Sequence, residues 1–145
     1  MICLIQRVTQ GSVTVEQKII GNIQVGLVVL VGFQANDTLT NVTKMIHKLL
    51  HYRVFPDQQG KMNLNVQQIQ GELLLIPQFT LAANTQSGLR PSFSSAAPPS
   101  LAETLFTEFT TRIQTQYPSI QTGEFAADMQ VTLTNNGPVT FWLET

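Results

Sequence analysis

Three consecutive residues near the middle of the chain could take part in ester or peptide hydrolysis. Gln78, Phe79 and Thr80 lie in an apolar segment, 73–81, that is predicted to be a strand and runs into the polar loop 83–93. The hydroxyl of Thr80 is a candidate nucleophile, but such a group needs a base within hydrogen-bond reach, and none is visible for it. Backbone N–H groups of Phe79 and Thr80 could instead stabilise the oxyanion of an ester under attack. Both interpretations stay open.

A second candidate segment, residues 135–140, contains the Gly137-Pro138 bond and leads into a strand-like tail. Proline cannot donate to a sheet ladder and glycine leaves its carbonyl unshielded, so the pair could present backbone oxygens at a sharp bend. The ordinary alternative is a hairpin turn, because Asn-Gly between alternating apolar runs is the strongest short-range hairpin signal. The local sequence favours the hairpin.

The two histidines and the single cysteine offer little further chemistry. His47 and His51 are four residues apart, which is a metal-ligand spacing on a helix. The helical phase places them beside Lys44 and Lys48, opposite the apolar stripe, so we expect a solvated face and no metal site. Cys3 lies inside the first apolar strand pattern and is predicted to be a small buried residue.

Composition limits the classes of function. The chain has 145 residues, 43% of them hydrophobic, and is expected to form one domain over residues 1–145. A net charge of −1 argues against a protein that grips long stretches of DNA or RNA, although capture of an RNA end needs only a pocket and a few contacts. The longest apolar run, 26–33, is far below the roughly 20 residues of a membrane span. We expect a cytoplasmic protein.

Periodicity predicts both strands and helices. Strands are expected at 2–8, 12–15 and 23–33, forming a meander, and again at 52–55. A helix capped by Asp37 or Thr38 should follow the third of these, since Val42, Met45, Ile46, Leu49 and Leu50 form one apolar stripe. A second helix should start with a capping box at Ser100 and Glu103 and end at Pro118. Two strands, 129–134 and 139–143, should flank the Gly-Pro bend.

Segments 76–81 and 135–140 together resemble the signatures of the D-aminoacyl-tRNA deacylase family, Ser-Gln-Phe-Thr-Leu and Asn-x-Gly-Pro-Val-Thr. Segments 5–8, 60–65 and 125–130 are also similar to the family, in the same order along the whole chain. The resemblance implies a single α/β domain, in which a curved, barrel-like mixed sheet is flanked by two main helices. It also implies a homodimer that needs no cofactor or metal.

The resemblance implies hydrolysis of the ester that joins a D-amino acid, or glycine, to the terminal adenosine of tRNA, with a ribose hydroxyl of the RNA helping to activate water. In the family the Gly-Pro peptide is cis and enters the active site of the partner subunit, where its carbonyls leave no space for an L side chain. Gly137 and Pro138 would have that role here. Gln78 would hold the substrate end, and Arg7 would support the loop.

Phe125 and Met129 match the family's adenosine site, although each could equally be plain core. Pro77 departs from the family, which usually has serine there, and so lacks a hydroxyl and a backbone N–H. We expect activity to survive, because the proposed oxyanion donors are those of Phe79 and Thr80. Two alternatives remain: a Thr80-dependent esterase or peptidase for small molecules, and a non-catalytic module that binds RNA ends or free D-amino acids.

Overall fold

The computed structural model describes all 145 residues, which form eight strands, two α-helices and one 3₁₀ turn. In chain order these are β1 (Ile2–Val15), β2 (Lys18–Ile23), β3 (Gly26–Gly32), α1 (Leu39–His51), β4 (Phe55–Pro56), β5 (Met62–Leu64), β6 (Glu72–Pro77), the 3₁₀ turn (Phe79–Ala82), α2 (Pro99–Gln116), β7 (Ile120–Thr122) and β8 (Gln130–Glu144).

Six of the strands form one mixed sheet in which β1 is the central member. The order is β2-β1-β3-β6-β7, and β8 pairs with β1 along its other edge. The pairs of β1 are antiparallel, whereas β3, β6 and β7 are parallel to one another. Strand β2 also approaches β6 and β7, so the sheet curls until it is nearly closed. The predicted curved mixed sheet with two flanking helices is therefore confirmed.

The predicted meander is wrong in its connections. Segments 2–8 and 12–15 form the single strand β1, because Gly11 continues the ladder instead of breaking it. Strand β3 pairs with the first half of β1, as Ile5 opposite Val29 shows, and β2 pairs with the second half. A 14-residue strand has room for both neighbours on one edge. The predicted strand 23–33 is accordingly divided between the end of β2 and β3.

Helix α1 begins after Thr38, which is its N-cap. Asn41 Oδ1 accepts hydrogen bonds from the backbone N–H and the hydroxyl of Thr38, both at 2.9 Å. Asp37 is not the cap: its carboxylate accepts from the Met1 ammonium at 2.5 Å and from Gln34 N at 2.7 Å. The predicted apolar stripe is confirmed as the buried face of α1. Tyr52 ends this helix, so the strand predicted at 52–55 is reduced to the short β4.

Helix α2 begins at Pro99 and not with a capping box at Ser100. Proline fits the first helical position because its missing N–H would have no partner there and its φ is already helical. Ser100 is inside the first turn, where its carbonyl accepts the hydroxyl of Thr104 at 2.9 Å. The helix ends at Gln116, before Pro118 as predicted.

Two hydrophobic clusters stabilise this arrangement. The larger lies between the helices and one face of the sheet, and includes the fully buried Cys3, Met45 and Phe109. The smaller lies inside the curl of the sheet and comprises Val8, Val13, Ile23, Val28, Leu74 and Ile76. Cys3 is thus buried as predicted. Neither helix combines the length and apolar character that crossing a bilayer requires.

Candidate active site

The segment containing Gln78 turns away from the sheet immediately after β6. The strand ends at Pro77, and Gln78 N donates to Val31 O at 2.7 Å as the last bond to β3. Phe79 and Thr80 belong to the 3₁₀ turn, so the strand predicted over 73–81 is too long. The turn packs tightly on Gly32, where an added Cβ would lie 3.0 Å from Gln78 O. A side chain at that position would push the turn outward.

The 3₁₀ turn exposes two backbone donors. Phe79 N and Thr80 N are at its start, where the turn itself offers them no acceptor, and neither donates to a loop carbonyl or to a side chain. The side chain of Gln78 is fixed beside them, because its Nε2 donates to Thr80 Oγ1 at 2.6 Å. The Thr80 hydroxyl is therefore paired with an amide, which is not a base.

A pocket of about 510 Å³ opens next to this turn and is mostly apolar. It brings together five of the residues selected from sequence. These are Pro77, Gln78, Phe79, Phe125 and Met129. The remaining walls come from the ends of β3 and β6, from residues around the start of α2 and from segment 126–131. A mouth with a few polar atoms above an apolar wall is typical of a small-ligand site.

Phe125 both packs against the hydrophobic core and lines the pocket. Its ring is half-buried and packs on the core residue Phe106, with centroids 6.4 Å apart, while also lining the pocket. The two interpretations offered for it are thus compatible. Gly123 is a residue that sequence reasoning missed: a Cβ there would lie 2.7 Å from Met129 Sδ and 3.3 Å from Pro77 Cδ. A side chain at this position would displace Met129 within the pocket wall.

The Gly-Pro bend is not a hairpin. Strand β8 passes through it and pairs with β1 on both sides, with Asn135 opposite Val8 and Thr140 opposite Gln6. The register shifts between these pairs, so the intervening residues bulge out of the ladder. The Gly137-Pro138 peptide is cis, as the resemblance implied, and both residues are exposed. The hairpin interpretation is wrong because the chain continues in one direction.

Two side chains hold the bend. Asn135 Oδ1 accepts from Val139 N at 2.7 Å, and its Nδ2 donates to Thr140 Oγ1 at 3.0 Å, which closes the base of the bulge. Arg7 Nε donates to Asn136 O at 2.8 Å, and Arg7 Nη1 donates to Val54 O at 2.6 Å. Arg7 therefore contacts the loop as the resemblance implied. Asn135 was not singled out from sequence, since its partners are visible only in the fold.

Within one chain the bend and the pocket are separate. Arg7, Gly137 and Pro138 are absent from the pocket lining, and so is Thr80. The bend lies beside the 6–8 region of β1, whereas the pocket lies next to Val31, which pairs with Cys3. The structure thus groups the candidate residues into a pocket set and a bend set.

His47 and His51 belong to neither set. Both side chains are exposed on α1, with their rings stacked at 4.4 Å, so the predicted solvated face is confirmed. No cluster of three or more His, Cys, Asp or Glu side chains with metal-site geometry occurs in the structure.

Comparison with known proteins identifies the family. The family model described as D-Tyr-tRNA(Tyr) deacylase matches residues 4–144. The chain belongs to this deacylase family. A relative from Hydrogenovibrio crunogenus is 60% identical, with both chains covered completely, and one from Dichelobacter nodosus is 59% identical, with 99% of each chain covered. Both relatives are named D-aminoacyl-tRNA deacylase, which is a class of hydrolase. This chain is therefore an enzyme, and the family resemblance of its motifs is confirmed.

Solved structures agree on the fold. A protein titled c-Myc DNA Unwinding Element Binding Protein superposes with a TM-score of 0.96 at 38% identity, covering 100% of this chain and 99% of its own. A probable eukaryotic D-amino acid tRNA deacylase superposes with a TM-score of 0.89 at 14% identity, covering 99% and 98%. The second likeness shows that this deacylase fold persists at low sequence identity.

Proposed function

We propose that this enzyme hydrolyses the ester bond of D-aminoacyl-tRNA, and of mischarged glycyl-tRNA, releasing the free amino acid and tRNA. The observation that carries the proposal is the pair of N–H donors at the start of the 3₁₀ turn, one on Phe79, which lines the pocket, and one on the next residue, Thr80. A site with these donors and no nucleophile-base pair suits a reaction in which water attacks an activated ester. Family membership supplies the substrate class.

The two N–H groups would stabilise the oxyanion that forms when water attacks the ester carbonyl. Removing one such donor typically costs about 3–4 kcal/mol of transition-state stabilisation, or 10²- to 10³-fold in rate. A ribose hydroxyl of the tRNA would assist the attacking water, since no side chain of the pocket is a suitable base. Gln78, fixed by Thr80, would orient the substrate end. Phe125 and Met129 would bind the terminal adenosine, because such side chains can stack on a base.

Chiral selection would come from the bend of a second subunit. In one chain the bend is exposed and away from the pocket, as expected for a segment that completes another copy's site. The sheet face without helices also carries an apolar row, because Leu4 pairs with both Leu30 and Trp142, and Trp142 is 51% exposed. A two-fold contact over this row would bury apolar surface. Carbonyl groups at Gly137 and Pro138 would then meet the substrate amine and exclude an L side chain.

The direct test incubates the protein with D-tyrosyl-tRNA and L-tyrosyl-tRNA, with and without a chelator, and follows release of tyrosine over many turnovers. We expect cleavage of the D ester alone, unaffected by the chelator. Equal cleavage of both esters would contradict chiral selection. Stoichiometric binding without turnover would favour the non-catalytic module that binds RNA ends.

Mixing two inactive variants tests whether each site uses two subunits. Gly137→Ala lacks a functional bend and Gln78→Ala lacks a functional pocket. A mixed dimer then holds one site with both parts intact, so random exchange should restore about a quarter of the wild-type rate. No recovery after confirmed exchange would place pocket and bend function in the same subunit.

The similar solved structure titled c-Myc DNA Unwinding Element Binding Protein does not change this proposal. The chain has eight Lys or Arg residues against nine Asp or Glu residues, and so lacks the basic surface that duplex binding usually requires. We propose that the enzyme acts in the cytoplasm, where aminoacyl-tRNA is used.

A further inference from the structure

Two exposed aromatic rings lie together at the rim of the pocket. Phe79 is 59% exposed and Phe93 is 41% exposed, and their ring centroids are 5.1 Å apart with an interplanar angle of 49°. Only Phe79 belongs to the pocket lining, so Phe93 extends the aromatic surface beyond it. Large aromatic side chains exposed in contact often mark a binding surface.

The loop that carries Phe93 is anchored at its base. Asn84 and Ser92 exchange two backbone hydrogen bonds, of 2.7 and 3.1 Å, which close the loop between them. Ser95 Oγ donates to Ala82 O at 2.5 Å and ties the following residues to the 3₁₀ turn. Phe93 lies between these two anchors, so its position beside Phe79 is fixed by the backbone on both sides.

One cation belongs to the same loop. Arg90 is the single basic residue between Lys61 and Arg112, and its side chain is exposed. It takes part in neither of the two ion pairs of the chain, which involve Asp37 and Glu108. Its guanidinium is therefore available to an external anion, and phosphate is a group that arginine binds in bidentate fashion.

We propose that Phe93, together with Phe79, is a stacking platform for the nucleotide that precedes the terminal adenosine of the RNA, and that Arg90 binds the adjacent backbone phosphate. This inference rests on the proposed function, because the terminal adenosine must occupy the pocket for its neighbour to reach the rim. Aromatic rings that stack on unpaired bases, next to a cation that contacts phosphate, are the common means of binding single-stranded RNA. The platform gives this weakly charged protein an RNA contact that needs no basic surface.

The test compares two esters that differ only beyond the terminal adenosine, D-tyrosyl-tRNA and the D-tyrosyl ester of adenosine. Phe93→Ala should lower kcat/KM roughly tenfold more on the tRNA than on the adenosine ester, since a base stacked on one aromatic side chain contributes about that factor. Phe93→Tyr should restore the tRNA rate because it keeps the ring. Leu89→Ala is the matched control, since Leu89 is fully exposed in the same loop and lies outside the aromatic pair. Arg90→Gln should raise KM for the tRNA and reduce its salt dependence.

Equal losses on the two esters would overturn the proposal, as would no loss on either. Dissociation of Phe93→Ala into monomers, measured by sedimentation, would assign the ring pair to a subunit contact instead. If the wild-type protein hydrolyses neither ester, the proposed deacylase function fails. The stacking platform is then tested separately by binding of a short single-stranded RNA that ends in adenosine. The platform requires that Phe93→Ala bind this RNA more weakly than the wild type does.

Discussion

Replacing Gly137 by alanine should damage both the stability of the bend and the activity. Gly137 has φ +151°, a conformation that residues with a Cβ rarely adopt. A Cβ built there would lie 2.6 Å from Val139 Cγ2, 2.9 Å from Val139 N and 3.3 Å from Arg7 Nη2. The first two distances are too short, so the bend must shift and the carbonyl groups proposed to read chirality must move with it.

The loss of stability expected for Gly137→Ala has two parts, and a control variant separates them. Positive φ costs an L residue about 1–2 kcal/mol, and forcing atoms into occupied space costs a further 1–3 kcal/mol or so. Gly60 has φ +77° but nothing within 4 Å of its built Cβ. Gly60→Ala should therefore show the cost of a positive φ without a steric clash, and Gly137→Ala should be about 2 kcal/mol less stable than it.

The measurement is the free energy of unfolding from urea titrations of both variants, followed by hydrolysis of D- and L-tyrosyl-tRNA. We expect Gly60→Ala to keep wild-type activity and selectivity, and Gly137→Ala to lose most of its activity on the D ester while still folded at the assay temperature. Equal stabilities for the two variants would refute the steric argument. Full, selective activity in Gly137→Ala would refute the role proposed for the bend.

Three further predictions follow from other parts of the structure. Thr80→Val should lower kcat by no more than about tenfold, because the proposed donor is the backbone N–H, whereas loss of an essential nucleophile costs about 10⁴-fold or more. Arg7→Lys should lower the free energy of unfolding by about 2 kcal/mol through loss of its two carbonyl contacts, measured against Arg53→Lys, whose side chain is exposed. Burial raises the pKa of the Cys3 thiol well above its usual range, so a thiol reagent at neutral pH should label Cys3 only in denaturant; rapid labelling of the native protein would contradict this.

The sequence predicted those elements that are specified by residues within the element itself or next to it. The stripe from Val42 to Leu50 specifies one face of α1 at any position in the fold, and Pro118 stops α2 without help from other segments. The bend could not be predicted in this way. Its Asn-Gly sequence favours a hairpin, but β8 continues because Arg7, 129 residues from Asn136 in sequence, supplies a donor to the bulged backbone.

In the candidate site, too, features set by local sequence were predicted and features set by contacts between distant segments were not. Gln78 and Phe79 line a pocket because they follow a buried strand that ends at it, whereas Thr80 lies outside the pocket lining. The 3₁₀ turn was missed since it packs closely on Gly32, and the close contact of Gly123 with Met129 was missed since only the fold brings them together. Contacts of this kind join distant segments and leave no periodic signal in either one.

Strand β1 connects the pocket and the bend of one chain, which in the proposed dimer belong to two different active sites. Cys3 is paired with Val31, whose carbonyl holds Gln78, and four residues further along Arg7 holds Asn136. Because β1 is paired on both edges around Cys3, its amides belong to the least readily opened part of the protein. The amides of β1 between Cys3 and Gln6 should therefore exchange their hydrogens as one cooperative unit, and a ligand bound at the pocket or at the bend should slow that exchange.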